Sequence, residues 1–262
     1  MRKQIFILVA LIVGSVSFLS ATVVMQDTNR TDKYGRKHGY WKKYDTGILR
    51  YEGSFIHGKP HGLFTYYHDE GMVKSTVIYA DSGSTARTVM FHKNGNIMAI
   101  GKYTNRRKDS VWKYYNTNEL LMIKETYVKG VLHGEMVGYY ENGKPFESMI
   151  YRNNKPNGAW KQYYRDGSIK LESNLIDDKA EGPLTIYHNN GAVAIKGTYK
   201  EDLPDGTWVY FTPKNEIIKK EHYNDGILLK TERFIEEEHL ESKENLKSIE
   251  DFRMLLKQFN VE

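Results

Sequence analysis

The feature that most constrains this chain is an aromatic pattern that recurs every 24 residues through its middle. Segments that open on glycine begin at residues 134, 158, 182 and 206, each 24 residues after the one before. Units on the same spacing begin at residues 62, 86 and 110, and a first unit at residue 39 is one residue shorter. Eight units therefore cover residues 39–230, and a period of this length is typical of repeat architectures.

Two positions of the repeat are aromatic. The sixth position is an aromatic residue in all eight units: Tyr44, Tyr67, Phe91, Tyr115, Tyr139, Tyr163, Tyr187 and Phe211. The third position contains all four tryptophans of the chain: Trp41, Trp112, Trp160 and Trp208. Because aromatic and β-branched residues favour strands, these columns indicate β-structure.

Each unit also has the turn signals of a hairpin. Asn142-Gly143 and Asp166-Gly167 lie in the middle of their units, and such pairs predict type I′ turns, which need positive φ at both central residues. A second loop, for example residues 153–158, closes each unit, and its proline and glycine are expected to end the strands. We therefore predict one hairpin per unit and an all-β fold, in which successive hairpins pair into one elongated antiparallel meander.

The sixth unit gives a testable register. A two-residue turn at Asp166-Gly167 predicts the pairs Tyr164–Ile169, Tyr163–Lys170, Gln162–Leu171, Lys161–Glu172 and Trp160–Ser173. One face would then be mainly apolar, and the other would carry an aromatic row flanked by opposite charges.

The pattern Gly-x-Trp-x-x-Tyr-Tyr-x-x-Gly, followed by tyrosine and a glycine-containing loop, resembles the MORN repeat. It is most similar to the bacterial variant found in YwqK-like proteins, which are often described as antitoxins. The units that begin at Gly134, Gly158 and Gly206 match best, whereas the unit that begins at Ala86 lacks the opening glycine. The resemblance covers residues 34–230, and it implies an elongated β-sheet for binding or scaffolding, with no catalytic residues.

The N-terminus has the pattern of an export signal. A basic start at Arg2 and Lys3 precedes an apolar stretch and then small residues up to Ala21, which predicts a signal peptide over residues 1–21. The alternative is an uncleaved anchor in the inner membrane, since residues 4–26 carry no charge. Either way we expect export from a bacterial cell, to the periplasm, the cell surface or the medium. Residues 22–38 form a lead-in to the repeats.

From residue 231 onward the repeat signals stop. Apolar residues at helical spacing predict an amphipathic helix, roughly over residues 242–259, within a C-terminal segment of residues 231–262. Two interpretations are open: a cap over the edge of the last hairpin, or a helix that docks on a partner or on another copy.

Composition and motifs argue against catalysis and cofactors. The absence of cysteine excludes disulfides, cysteine–zinc sites and thiol nucleophiles. The sequence has no G-x-S-x-G and no phosphate-binding glycine loop, so we expect no enzyme and no cofactor. His57, His61 and His68 could suggest zinc, but His68 falls in the seventh position of the repeat, which tyrosine or histidine fills in several units, so we expect no metal site.

A binding function remains, and a protein partner of unknown identity is the first expectation. We expect contacts through the aromatic columns, with these candidate residues: Tyr115, Tyr139, Tyr163, Tyr187, Phe211, Trp112, Trp160 and Trp208. A glycan such as peptidoglycan, stacked on the same row, is an alternative. So is an anionic phospholipid surface, because residues 22–230 carry a net +7 out of the chain's +5. Nucleic acid is not expected, and sheet packing is the competing role for the rings.

Overall fold

The structure, a computed structural model, describes residues 27–235. Its elements are β1 (Gly39–Asp45), β2 (Ile48–Ile56), β3 (Lys59–Tyr67), β4 (Val73–Ala80), a 3-10 turn (Asp81–Gly83), β5 (Thr85–Phe91), β6 (Ile97–Thr104), β7 (Arg107–Tyr115), β8 (Leu121–Val128), β9 (Val131–Tyr139), β10 (Pro145–Arg152), β11 (Lys155–Tyr163), β12 (Ile169–Ile176), β13 (Lys179–Ala180), β14 (Gly182–Tyr187), β15 (Val193–Lys200), β16 (Leu203–Phe211), β17 (Ile217–Asn224) and β18 (Ile227–Arg233). The predicted signal segment and C-terminal helix lie outside the described residues and stay predictions.

The strands form one antiparallel meander. Each strand pairs with the next along the chain, from β1–β2 through β9–β10 to β17–β18. The short strands β13 and β14 are two parts of one strand, since both pair with β12. Within residues 27–235, β1 pairs only with β2 and β18 only with β17, so the sheet is open. At about 4.8 Å per strand the ladder is roughly 80 Å long, which confirms the elongated all-β repeat fold.

The turn inside each hairpin differs from the predicted type I′ turn. In the fifth unit Gly143 has a φ of 81°, whereas Asn142 is not among the residues with positive φ. The Tyr140 amide donates to the Lys144 carbonyl at 2.8 Å, so the loop is longer than two residues and ends in a glycine bulge. Asparagine is used here for its side chain: the Lys144 amide donates to Asn142 Oδ1 at 3.0 Å.

The loop between hairpins is the place where both central residues have positive φ. Asn153 and Asn154 have φ values of 53° and 68°, as a type I′ turn requires. The prediction that proline and glycine end the strands there is wrong, because β11 begins at Lys155 and contains Pro156 and Gly158. Gly158, with a φ of 135°, lies where the ladder with β10 is irregular, and a bulge tolerates such residues inside a strand.

The predicted register of the sixth unit is correct away from the turn and wrong beside it. Gln162 pairs with Leu171, and the next two pairs, Lys161–Glu172 and Trp160–Ser173, are also as predicted. Tyr163, however, pairs with Ile169 and not with Lys170, because the bulge adds a residue. The Tyr164 amide donates to the Ser168 carbonyl at 2.9 Å, which replaces the predicted pairing with Ile169.

The core lies along one face of the sheet. Its larger cluster spans the sixth to eighth units, and in the described residues it contains Trp160, Leu171, Leu175, Ala180, Leu184, Ile186, Ala194, Ile195, Tyr199, Trp208, Tyr210 and Ile218. A smaller cluster of Phe64, Val77 and Ala86 lies in the second and third units. No helix in residues 27–235 is long and apolar enough to cross a bilayer.

Candidate functional site

The two aromatic columns predicted as one binding surface lie on opposite faces. Side chains alternate along a strand, so the third and sixth positions of a unit point away from each other. We call the face that carries Trp112, Trp160 and Trp208 the tryptophan face. The face that carries the sixth-position rings, such as Tyr139 and Tyr187, is called the tyrosine face.

The tryptophans are core residues. Trp112 is 1% exposed, and Trp160 and Trp208 are each 2% exposed. The glycine opposite some of these rings is part of the packing: a Cβ on Gly101 would lie 2.2 Å from the Trp112 ring. A partner could reach these rings only by opening the sheet, so their position fits packing rather than contact with a ligand.

Lysine ammonium groups lie among the rings of the tryptophan face. Lys108 Nζ is 5.0 Å from the centroid of Trp112 and 4.7 Å from that of Tyr127. It also donates to Tyr114 Oη at 2.6 Å. In the first unit Lys37 Nζ lies 4.7 Å from the centroid of Trp41. The basic run at residues 106–108, expected to be a solvated turn, therefore places one ammonium in a cation–π cluster.

The last unit contains a buried ion pair on the same face. Lys219 Nζ donates to Glu221 Oε1, and the two side chains are only 5% and 10% exposed. Glu221 Oε2 accepts hydrogen bonds from Tyr210 Oη at 2.7 Å and from Tyr223 Oη at 3.0 Å. Burial acts to raise the pKa of Glu221, but the bonds from Lys219 and Tyr210 outweigh it and hold that pKa below its ordinary value of 4.5. With four polar groups satisfied, the pair is structural.

The tyrosine face presents a regular row of half-buried rings. Tyr115, Tyr139, Tyr163, Tyr187 and Phe211 all lie in strands and are all partly exposed. The hydroxyl of Tyr187 donates to Glu172 Oε2 at 2.9 Å, and that of Tyr67 donates to Glu52 Oε1 at 2.6 Å. Since neighbouring rings are two strands apart, they are roughly 10 Å from each other.

Acidic residues at the fifteenth position of the repeat order this row, and the sequence analysis did not single them out as site residues. Glu172 accepts from Lys161 Nζ at 2.8 Å, and Glu52 pairs with Lys42 at 3.3 Å. The bonds from Lys161 and Tyr187 hold the pKa of Glu172 below its ordinary value. The tyrosine face is therefore a lattice of fixed rings and charge pairs. A search for acids two strands from each tyrosine could have found it.

The seventh position of the repeat holds rings that bind the backbone of the next unit. Tyr164 Oη donates to the Tyr187 carbonyl at 2.6 Å, and Tyr140 Oη to the Tyr163 carbonyl at 2.9 Å. His188 Nε2 lies 2.9 Å from the Phe211 carbonyl, which assigns its proton to Nε2. The column thus holds neighbouring units together. In residues 27–235 no three histidine or acidic side chains are grouped as a metal site.

The comparisons with known proteins agree with this repeat. The family model described as "MORN repeat variant" matches four segments: residues 60–81, 132–153, 156–177 and 180–201. A search of curated protein sequences finds no match.

Similarities to solved structures are weak. The crystal structure of TarM aligns at 12% identity and a TM-score of 0.24, over 54% of this chain and 20% of TarM. A structure of TcdB2-TccC3-Cdc42 aligns at 12% identity and a TM-score of 0.22, over 71% of this chain and 13% of that one. A protein of unknown function from Bacteroides fragilis aligns at 8% identity and a TM-score of 0.10, over 77% and 94%. The chain thus spans about a fifth of TarM, and these likenesses carry no argument.

Four matched segments of 22 residues each coincide with the hairpins of the second, fifth, sixth and seventh units, and the remaining hairpins continue the same ladder. The chain is a MORN-repeat protein, built from the variant form of the repeat.

Proposed function

We propose that this chain is an exported, non-catalytic binding module, and that it contacts a protein partner across its tyrosine face. The observation that carries the proposal is the row of half-buried rings held in fixed positions by the acids beside them. Tyrosine gives a large contact area at a low cost in side-chain entropy, and for this reason it is enriched in protein interfaces. Five rings at a spacing of about 10 Å extend over roughly 40 Å, which suits a macromolecular ligand.

The charges of the tyrosine face support the same proposal. Lysines and glutamates alternate across its strands, as in the pairs Lys161–Glu172 and Lys124–Glu135, which are each 2.8 Å long. A face of mixed sign offers a specific pattern to a protein, whereas an anionic membrane would favour a uniformly basic face. An antitoxin- or immunity-like role is the form of this proposal in which the partner is a toxin.

The test is a pull-down from a solubilised envelope fraction, with the chain from Thr22 onward as bait and mass spectrometry as the readout. We expect one dominant protein that stays bound in moderate salt and is lost from Tyr139→Ala/Tyr163→Ala/Tyr187→Ala. The matched control is Tyr163→Phe, which keeps the ring, because Tyr163 Oη has only a long 3.4 Å contact with Ser148 Oγ.

Two results would contradict the proposal. Retention of the bait on insoluble peptidoglycan or on anionic liposomes, with no protein captured, would assign the rings to a glycan or a lipid surface. Capture that survives the triple substitution in a folded variant would place the interface elsewhere. Export is tested separately, by sequencing the N-terminus of the protein recovered from the envelope.

A further inference from the structure

A cavity of about 310 Å³ opens on the tryptophan face between the second and fourth units. Its walls are largely apolar and include three tyrosines, with one charged residue among the lining side chains. The residues used below are Tyr66, Tyr79, Thr88, Tyr103 and Arg106. The volume is at the lower end of the range for small-ligand pockets, and it lies on the face opposite to the tyrosine row.

The repeat explains why a cavity forms at this place. In the fourth unit Trp112 covers Gly101, and Lys108 lies above the indole ring. The residues 24 positions earlier are Thr88, Val77 and Ser84, and Val77 and Thr88 are cross-strand partners. The third unit therefore lacks both the indole and the lysine side chain that the fourth unit carries, and Val77 fills only part of that space.

The ring contacts show what kind of group the space is shaped for. An aromatic residue at the eighteenth position meets the third-position ring of the next unit edge to face, in the pairs Phe55–Phe64 at 5.1 Å, Tyr103–Trp112 at 4.9 Å and Tyr199–Trp208 at 5.0 Å. Tyr79 is the eighteenth-position residue of the second unit, and the third-position residue that follows it is Thr88. The slot beside Tyr79 is thus a ring site that the chain does not fill itself.

The charge at the rim selects among aromatic ligands. Arg106 is exposed, lines the cavity and forms no ion pair within residues 27–235. No aspartate or glutamate is among the lining residues. A free guanidinium beside an apolar slot favours a ligand that carries a carboxylate or a similar planar anion.

We propose that this cavity binds an aromatic ring that bears an anionic substituent. The ring enters the slot beside Tyr79 and Tyr103, where the other units hold their own third-position ring, and the anion pairs with Arg106. This site is separate from the tyrosine face and does not depend on the proposed function. A free aromatic acid and an aromatic residue at the carboxyl terminus of a peptide share this chemistry.

The test is a titration of the purified exported protein with indole-3-acetate, followed by amide chemical shifts. We expect saturable shifts at Gly83, Ser84 and Thr88, with binding about ten-fold weaker for indole, which lacks the anion, and for cyclohexylacetate, which lacks the ring. Arg106→Gln should weaken indole-3-acetate about ten-fold and leave indole unchanged. A peptide that ends in tryptophan with a free carboxylate, compared with its amide, distinguishes a peptide source from a free acid.

Filling the slot provides the control. Val77→Gly/Thr88→Trp reproduces the Gly101–Trp112 pair and should abolish binding, and Thr88→Leu reproduces Leu184 of the seventh unit as a milder filler. Both are expected to fold, as judged by thermal melts. No saturable shift below about 10 mM indole-3-acetate, or unchanged affinity in a folded Thr88→Leu variant, overturns the proposal. Equal binding by wild type and Arg106→Gln also overturns it, because the anion would then have no partner.

Discussion

The close contact between Gly101 and Trp112 makes a prediction about a single methyl group. The Cβ of Gly101→Ala would lie 2.2 Å from the indole, and the ring is itself 1% exposed and cannot move aside. We expect the free energy of unfolding to fall by about 3 kcal/mol, the upper part of the range for overpacked cores. Urea denaturation measures this loss.

The repeat itself supplies the control for that variant. In the sixth and seventh units the equivalent pair is Ser173 and Leu184, so Gly101→Ser/Trp112→Leu should fold with a smaller loss than the sum of its single substitutions. Additive losses would show that the two positions are not coupled.

The buried pair of Lys219 and Glu221 predicts a pH dependence of stability. Because the pKa of Glu221 in the folded state is lower than its ordinary value of 4.5, the charged form stabilises the fold above that pH. The contribution is lost as the pH falls from 4.5 towards the lowered value. Glu221→Gln should therefore unfold about 3 kcal/mol more easily at pH 7, where it leaves Lys219 unpaired, and should differ less from wild type at pH 3.

Thermal melts at the two pH values check this expectation. The control is Lys219→Leu/Glu221→Met, which installs side chains that Leu171 and Met149 contribute at the same positions of other units. We expect this variant to be close to wild type at pH 7, since a matched apolar pair removes both buried charges. A gap between wild type and Glu221→Gln that is constant with pH would contradict the role given to Glu221.

At the scale of the element, the turn inside each hairpin also joins it to the next hairpin. Asn142 Nδ2 donates to the Arg165 carbonyl at 2.7 Å, while its Oδ1 accepts from the Lys144 amide. Asn142→Asp keeps the acceptor and removes the donor, so we expect a loss of about 1 kcal/mol. Asn142→Ala removes both bonds and should cost about twice as much. Urea titrations of the two variants decide the point, and equal losses would mean that the bond to Arg165 contributes nothing.

The same turn shows how far the sequence could predict the structure. Period, strand order and the pairs Lys161–Glu172 and Trp160–Ser173 followed from local patterns, because alternation and turn spacing act within one hairpin. The bulge after Gln162 did not, since Asn-Gly and Asp-Gly fit both a type I′ turn and a bulged loop. The bond of each turn asparagine to the following unit depends on stacking, which a single hairpin does not reveal.

The candidate site was predictable to a similar extent. The tyrosine column was visible, but its separation from the tryptophans required counting odd and even positions of the unit. The cavity required a further comparison, of the small Thr88 with the ring that other units hold at its position. Whether either surface binds a ligand depends on a partner that the sequence does not contain.

For the whole molecule, nearest-neighbour pairing predicts uneven stability along the sheet. A strand in this meander contacts only its two neighbours, so local opening depends on local packing. Among the described residues, twelve buried side chains form the cluster of the sixth to eighth units, and three form that of the second and third. The cavity beside Thr88 lies next to the smaller cluster.

We therefore expect amide hydrogen exchange to be slowest in β11 to β17 and clearly faster in β4 to β6. Thr88→Leu should slow exchange in β4 to β6 and leave β14 to β16 unchanged, because it fills a gap that only the neighbouring strands line. Exchange measured by mass spectrometry on wild type and variant tests both statements. Uniform exchange along the sheet, or an equal effect of Thr88→Leu at both ends, would mean that the repeats open as one unit and that the cavity is not a local weakness.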